Sequence, residues 1–227
     1  MKAYLRAVRA LVRKDALLER RSLETLAATV AFALLLAAMF HFGFDIQGAE
    51  SRRFFPGALW IALLFAGTLG LAKSAAADES SGTSRGLLLA PVDRSALYVG
   101  KFIYHFGFMA TVELVVVPLF LAAFSFGSVA RPGLFVLGLF LGTWGFVAIG
   151  TLLAGAAGEM RGGLIAPVVL FPLLVPVALG GVAVTGAAAS SAGAVEPQTA
   201  AWIRLLVVYD VLFTAVPALF YDYIAEG

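Results

Sequence analysis

Six long apolar runs, separated by shorter polar stretches, set the pattern of this chain. They span residues 26–44, 55–77, 102–124, 134–157, 164–185 and 202–221. A bilayer core of about 30 Å takes roughly 20 helical residues, since each residue adds about 1.5 Å of rise. The pattern therefore predicts an all-α, polytopic membrane protein with six transmembrane helices. The small residues at 185–201 leave open a re-entrant segment there.

The polar stretch before the first run has the pattern of an amphipathic helix. At 100° per residue, five cations fall in one narrow arc, namely Lys2, Arg6, Arg9, Arg13 and Arg20, and the apolar residues gather a right angle or more away. Such a helix is expected to lie along the anionic inner leaflet. Residues 1–25 are thus predicted to form an interface helix, and residues 26–227 the transmembrane domain. Asp15 falls on the apolar side, where the helix is expected to end, tilt or meet a partner.

The distribution of positive charge indicates the orientation in the membrane. With the N-terminus in the cytoplasm, the inner segments hold 12 of the 16 Lys and Arg residues and the outer segments hold four. Because cytoplasmic loops carry the excess of cations, both termini and the polar segment 78–101 are predicted to be cytoplasmic. The composition excludes an ordinary soluble domain, since 61% of the residues are hydrophobic and the mean hydropathy is +0.96.

Four ionisable residues stand inside the apolar runs, where a charge at mid-bilayer costs about 3 kcal/mol or more. Lys73 is close enough to the cytoplasmic end of its run to extend its amine to the surface. His105 is expected to be a hydrogen-bonded imidazole near the same surface. Glu113 lies close to the midplane, and Asp210 about a third of the way in from the outer end. His105, Glu113 and Asp210 are therefore the transport-path candidates, with a purely structural role as the alternative for each.

Motifs typical of nucleotide-binding proteins, metalloproteases and serine hydrolases are missing from the sequence. It contains no GxxxxGK[ST] nucleotide loop, no HExxH, no GxSxG and no cysteine, and its two histidines belong near opposite surfaces. We therefore expect no catalytic residue, no metal site and no tightly bound cofactor. Active transport by this chain would then need energy from another subunit. Small residues in the fourth run predict close helix packing, within the subunit or across a dimer; they are Gly138, Gly142, Gly150, Ala154 and Gly158.

The segment 78–101 is the longest polar stretch after the N-terminal helix. It opens with two acidic residues, continues through turn and cap residues at 80–83, and then has a run of leucines that ends before Pro91. A short apolar helix exposed to the cytoplasm would fit a groove on a partner that drives the spans. An interfacial loop whose leucines dip into lipid fits the same residues equally well.

This segment resembles the first cytoplasmic loop of ABC exporter permeases of the second type. The matching positions are Asp78, Glu79, Gly82, Thr83, Leu87, Leu88, Pro91 and Lys101. Three further stretches make the chain similar to the haem exporter protein B family of cytochrome c maturation permeases: FFPGALW at 54–60, GKFIYH at 100–105 and MRGGLIAPVVLFPLLVPV at 160–177. Arg85 departs from the family, which usually has an acidic residue there.

The resemblance implies a permease subunit, not an enzyme, in the bacterial inner membrane. Its partners would be a cytoplasmic ATPase subunit that holds the ATP, a second copy of the permease, and a haem-handling membrane subunit, with haem as the substrate and no nucleic acid involved. The matching positions from Asp78 to Pro91 would form the ATPase-coupling loop. Two alternatives stay open: a permease for another amphipathic substrate, such as a lipid, drug or polysaccharide, and a membrane assembly factor that transports nothing.

Overall fold

The computed structural model describes residues 2–43, 49–80, 93–124, 128–157, 165–190 and 195–224, and these ranges contain helices and no strand. The helices are α1 (Lys2–Ser22), α2 (Glu24–Gly43), α3 (Ala49–Ser80), α4 (Arg94–Ala123), α5 (Pro132–Ala157), α6 (Ile165–Ser190) and α7 (Pro197–Ile224). Helices α2 to α7 are long and apolar enough to cross a membrane. The predicted all-α, six-span architecture is confirmed.

Several spans extend beyond the apolar runs that predicted them. α3 continues through Asp78 to Ser80. α4 begins at Arg94, directly after Asp93, whose carboxylate accepts a hydrogen bond from the backbone N–H of Ser95 at 3.0 Å. α6 is one continuous helix to Ser190, so residues 185–190 form no re-entrant segment; residues 191–194 lie outside the described ranges. Hydrophobicity predicts the part of a helix in lipid, whereas caps determine where the helix ends.

Trp60 of α3 lies at the centre of the bundle. Its indole is fully buried and fills the space above two glycines, Gly142 of α5 and Gly181 of α6. Its ring N–H donates to the hydroxyl of Thr185 at 3.1 Å, so the one polar atom of the ring is satisfied in an apolar environment. The contact joins three spans at one side chain.

The small residues of α5 are used for packing inside the subunit. Gly138 faces Val184 and Thr185 of α6, while Gly142 and Gly150 face Trp60 and Leu71 of α3. A side chain at these positions would separate the helices, because bare backbone is what allows the close approach. Of the two alternatives for this stripe, packing within the subunit is confirmed at these three glycines.

Polar contacts close the end of the bundle that lies opposite α1. The backbone N–H of Arg131 donates to the carbonyl of Ala188 at 3.0 Å, and its guanidinium donates to the carbonyl of Ala187 at 2.8 Å. These carbonyls belong to the last turn of α6, where the helix dipole favours a cation. Ser51 donates to the carbonyl of Phe124 at 2.5 Å and ties the start of α3 to the end of α4.

The interface helix α1 runs unbroken past Asp15 and packs along α4. Tyr4 contacts Ser95, Leu11 contacts Gly100 and Asp15 contacts Lys101, so both helices run in the same general direction. α1 ends at Ser22, and the next residue, Leu23, has a positive φ of 47° that turns the chain into α2. Glu19 then caps α2, since its carboxylate accepts from the backbone N–H of Leu26 at 2.9 Å.

Replacing Gly142 with alanine tests the packing around Trp60. The added methyl would overlap the indole ring, which has no free space to move into, so we expect a loss of about 1–3 kcal/mol in unfolding free energy. The matched control is Gly107→Ala, because a methyl there meets no atom within 4 Å. Thermal unfolding of the two purified variants is the measurement, and equal midpoints would contradict the packing described.

Candidate functional site

Four charged side chains meet where α1, the end of α3 and the start of α4 come together. Lys14 lies 2.9 Å from Asp15 and 3.3 Å from Asp78, and Lys101 lies 3.0 Å from Asp15 and also contacts Asp78. Each cation therefore contacts both anions. We call this set of Lys14, Asp15, Asp78 and Lys101 the ion cluster.

The ion cluster is electrically balanced and partly shielded from solvent. The side chain of Asp15 is 6% exposed and those of Asp78 and Lys101 are each 18% exposed. Burial lowers the pKa of Lys14, but its hydrogen bonds and charge interactions with Asp15 and Asp78 outweigh that effect and hold the pKa above its usual value. Lys14 thus stays charged at neutral pH, and the two carboxylates that it contacts compensate its charge.

The position of the ion cluster ties it to the segment 78–101. Asp78 stands near the end of α3 and Lys101 two turns into α4, so the cluster joins the two helices that flank this segment. The structure thus brings Asp78, a predicted site residue, into contact with Lys101, the last position of the family pattern. The side chain of Glu79 and residues 81–92, which include Gly82, Thr83, Leu87, Leu88 and Pro91, lie outside the described residues.

Asp15 shows what the sequence pattern could and could not reveal. Of the three expectations for an acid on the apolar side of α1, the structure bears out the third: Asp15 meets a partner, Lys101. The sequence did not identify Lys14 or Asp15 as members of a site. The available signal was the misplaced acid itself, because an anion on an apolar face requires a cation on the element that covers it.

His105 lies one turn after Lys101, buried between α3 and α5. Its Nδ1 is 3.0 Å from the hydroxyl of Thr151 and its Nε2 is 3.1 Å from the hydroxyl of Ser74. Hydroxyl groups both donate and accept, so they satisfy either neutral tautomer of the ring. The expected hydrogen-bonded imidazole is confirmed, and both nitrogens are occupied in this conformation.

Glu113 of α4 faces α5, where the hydroxyl of Thr143 donates to its carboxylate. Thr143 thus supplies a polar partner for an acid that lies at membrane depth. The carboxylate lies about 15 Å from the end of the bundle opposite α1, counting 1.5 Å per residue from Ala123.

Asp210 of α7 is buried without a donor. It is 5% exposed, and neither carboxylate oxygen has a hydrogen-bond partner among the described residues. One oxygen packs on the backbone of Gly145 of α5, where an added Cβ would lie 2.8 Å away. In the described structure Asp210 forms no pair with Arg204. An ionised carboxylate without a donor is costly in such a site, so we expect the neutral acid.

Asp210, which is buried, and Glu113, which is partly buried, lie on different faces of α5 at similar depth. Thr143 meets Glu113 and Gly145 meets Asp210, two positions that point to nearly opposite sides of a helix. Between them, the indole of Trp144 donates to Thr214 of α7 at 2.8 Å. One turn of α5 thus contacts both acids. Lys73, by contrast, has an exposed side chain, as its position near the end of α3 predicted.

An apolar cavity of about 180 Å³ lies between α3 and α6, apart from the transport-path candidates. It is lined by Ile61, Leu64, Phe65, Thr68, Phe171, Leu174, Val175 and Ala178. The hydroxyl of Thr68 is engaged with the carbonyl of Phe65 at 2.7 Å, so the lining offers no free polar group for recognition. His105, Glu113 and Asp210 do not line it.

Comparison with known proteins places this arrangement in a family. The profile of the family described as CcmB protein matches residues 6–220, which includes the ion cluster and all six spans. The chain belongs to the CcmB protein family. The resemblance to haem exporter protein B that the loop and the span motifs indicated is therefore confirmed.

Three curated relatives of this CcmB family member are each named Heme exporter protein B, and the chain covers at least 74% of each of them. Heme exporter protein B of Rhodobacter capsulatus is 29% identical over 170 residues, covering 74% of this chain and 78% of that protein. Heme exporter protein B of Paracoccus denitrificans is 28% identical over 194 residues, covering 85% and 87%. The protein of the same name from Pseudomonas aeruginosa is 28% identical over 168 residues, covering 74% of each.

Replacing Lys101 with methionine tests whether the ion cluster stabilises this CcmB family member. Methionine keeps the bulk of the side chain but removes the cation, and it leaves the buried Asp15 with Lys14 alone. We expect a loss of about 2–3 kcal/mol in unfolding free energy, the range for a hydrogen bond to a buried charge. The control is Lys73→Met, which removes a cation from an exposed position on α3. If both variants lowered the unfolding midpoint equally, the ion cluster would have no special stabilising role.

Proposed function

We propose that this chain is the permease subunit of an ATP-driven exporter that serves haem delivery in cytochrome c maturation. The observation that carries the proposal is the CcmB family match over residues 6–220, joined to a six-span helical bundle. The curated relatives are named heme exporter proteins. The chain supplies the membrane path, and a separate ATPase subunit supplies ATP hydrolysis.

The orientation follows from the charge distribution. With both termini in the cytoplasm, α1 and the ion cluster lie at the inner surface, because 12 of the 16 cations are then inside. The segment 78–101 is exposed to the cytoplasm in this orientation, where an ATPase could bind it. The complex contains two permease copies and two ATPase subunits beside a haem-handling membrane subunit, as the family resemblance implies.

The coupling loop carries motion from the ATPase to the spans. Asp78 and Lys101 fix the helices on both sides of the loop to each other and to α1. A displacement of the loop therefore moves the inner ends of α3 and α4 as one body, because separating them would leave partly buried charges unpaired. Glu79, Gly82, Thr83, Leu87, Leu88 and Pro91 supply the remainder of the contact with the ATPase.

Glu113, His105 and Asp210 belong to the transport path in this proposal. The two acids flank one turn of α5, so a rotation of α5 relative to α4 and α7 would release both from their present contacts. Near mid-bilayer, carboxyl groups are kept where they serve an ion or a polar substrate group. His105 joins the path when α3 and α5 separate and free its ring nitrogens from Ser74 and Thr151.

Replacing Leu88 with glutamate tests the coupling loop. A central leucine in a groove contributes roughly 2 kcal/mol, so its loss should weaken ATPase association about thirtyfold and stop haem delivery while the chain still inserts. The control is Arg85→Ala in the same loop. ATPase recovered with the tagged permease from membranes is the readout, and a wild-type ratio with Leu88→Glu would mean that the segment is an ordinary loop.

Neutral substitutions of the buried acids separate a transport role from a structural one. Asp210→Asn and Glu113→Gln keep the shape of the side chain, so both variants should accumulate in the membrane at normal levels if the acids are neutral in the resting state. We expect cytochrome c assembly to fail in both. Reduced abundance, or normal assembly at normal abundance, would remove the residue concerned from the transport path.

A further inference from the structure

The cations of α1 whose side chains the structure describes divide into two groups with different surroundings. Lys14 belongs to the ion cluster, where it contacts two carboxylates. Four other cations are exposed and pair with no carboxylate in the described part of the chain; they are Lys2, Arg6, Arg9 and Arg13. We call these four the basic ridge, and its positive charge has no counterpart within the described subunit.

The face of α1 opposite the basic ridge is already occupied. Val8, Leu11 and Asp15 are buried, and Leu11 packs on Gly100 of α4. At 100° per residue these three lie roughly 150° from the centre of the ridge. The apolar face of α1 is therefore covered by protein, so it cannot be what holds the helix to lipid.

The chain connection places the basic ridge at membrane level. Only Leu23 separates α1 from α2, the first span, and Glu19 bonds directly to the first turn of α2. α1 also follows the first turns of α4, another span. A helix held between the ends of two spans lies at the depth of the lipid headgroups, and its outward side chains meet phosphate groups there.

Two exposed leucines also indicate that α1 lies at the depth of the lipid headgroups. Leu5 and Leu17, both more than 40% exposed, lie on the two sides of the basic ridge. An arginine ridge bordered by leucines suits the boundary between headgroups and acyl chains, since the guanidinium groups reach the phosphates while the leucines enter the apolar layer. An acidic protein surface would pair with the arginines, but it would not explain why Leu5 and Leu17 are exposed beside them.

The geometry points to the basic ridge as a binding site for anionic phospholipid headgroups. Arginine suits this ligand because its planar fork of donors matches a phosphate. The attachment is electrostatic, so it depends on the anionic lipid content of the bilayer and weakens with salt. Because Lys14 and Asp15 lie on the same helix, lipid bound at the ridge also steadies the ion cluster.

Lipid binding by the full chain tests this site. The chain is purified in a mild detergent and titrated with phosphatidylglycerol or phosphatidylcholine, and bound lipids are counted by native mass spectrometry. Arg9→Gln with Arg13→Gln removes two ridge charges, each contributing about 1 kcal/mol, so phosphatidylglycerol should bind about thirtyfold more weakly, with no change for phosphatidylcholine. The matched control is Arg53→Gln with Arg204→Gln, which removes two exposed arginines near the opposite end of the bundle.

The outcomes separate this site from the proposed function. Lipid is counted on the permease alone, so the result stands whether or not the chain exports haem. The site is overturned if the ridge variant binds phosphatidylglycerol like the control, or if both variants lose binding equally. Unchanged lipid binding together with reduced ATPase recovery by the ridge variant would instead identify the ridge as a protein-docking surface.

Discussion

Four partly buried charges that compensate one another hold together the parts of this protein on which its function depends. Lys14 and Lys101 each contact both Asp15 and Asp78, so none of the four can leave without exposing an uncompensated charge. The interface helix, the end of α3 and the start of α4 are thereby fixed to one another. In the proposed function, the coupling segment 78–101 begins and ends at this junction, so a force on that segment would reach the spans.

Farther along the spans, apolar packing and not charge holds the helices together. Trp60 fills the space left by glycines on α5 and α6, and α5 in turn contacts both buried acids. Close helix approach through small residues gives a bundle whose spans repack as units rather than deform. In the proposed function, a motion driven at the ion cluster would therefore change the surroundings of Glu113 and Asp210.

The spans and their number could be predicted because lipid imposes a simple rule on length and hydrophobicity. Span ends could not, since α4 begins at the cap residue Asp93 and not where the apolar run begins. For the site, the sequence identified Asp78 and Lys101 by family pattern and noted that Asp15 was misplaced. It could not place Asp15 beside Lys101, because that contact depends on how α1 crosses α4, which no local pattern encodes.

In the proposed function, α1 and the start of α4 move together during ATP-driven export. Since the chain has no cysteine, Leu11→Cys with Gly100→Cys introduces a single pair. A Cβ added at Gly100 would lie 3.0 Å from that of Leu11, so the two helices need only a small outward shift to reach the disulfide spacing of about 3.5–4.5 Å. The measurement is ATP hydrolysis by the complex in lipid nanodiscs, oxidised and then reduced, with the cysteine-free permease treated alike. The account predicts that the disulfide forms and hydrolysis continues at the same rate. Hydrolysis that stops on oxidation and returns on reduction would show that α1 must separate from α4, contradicting the account.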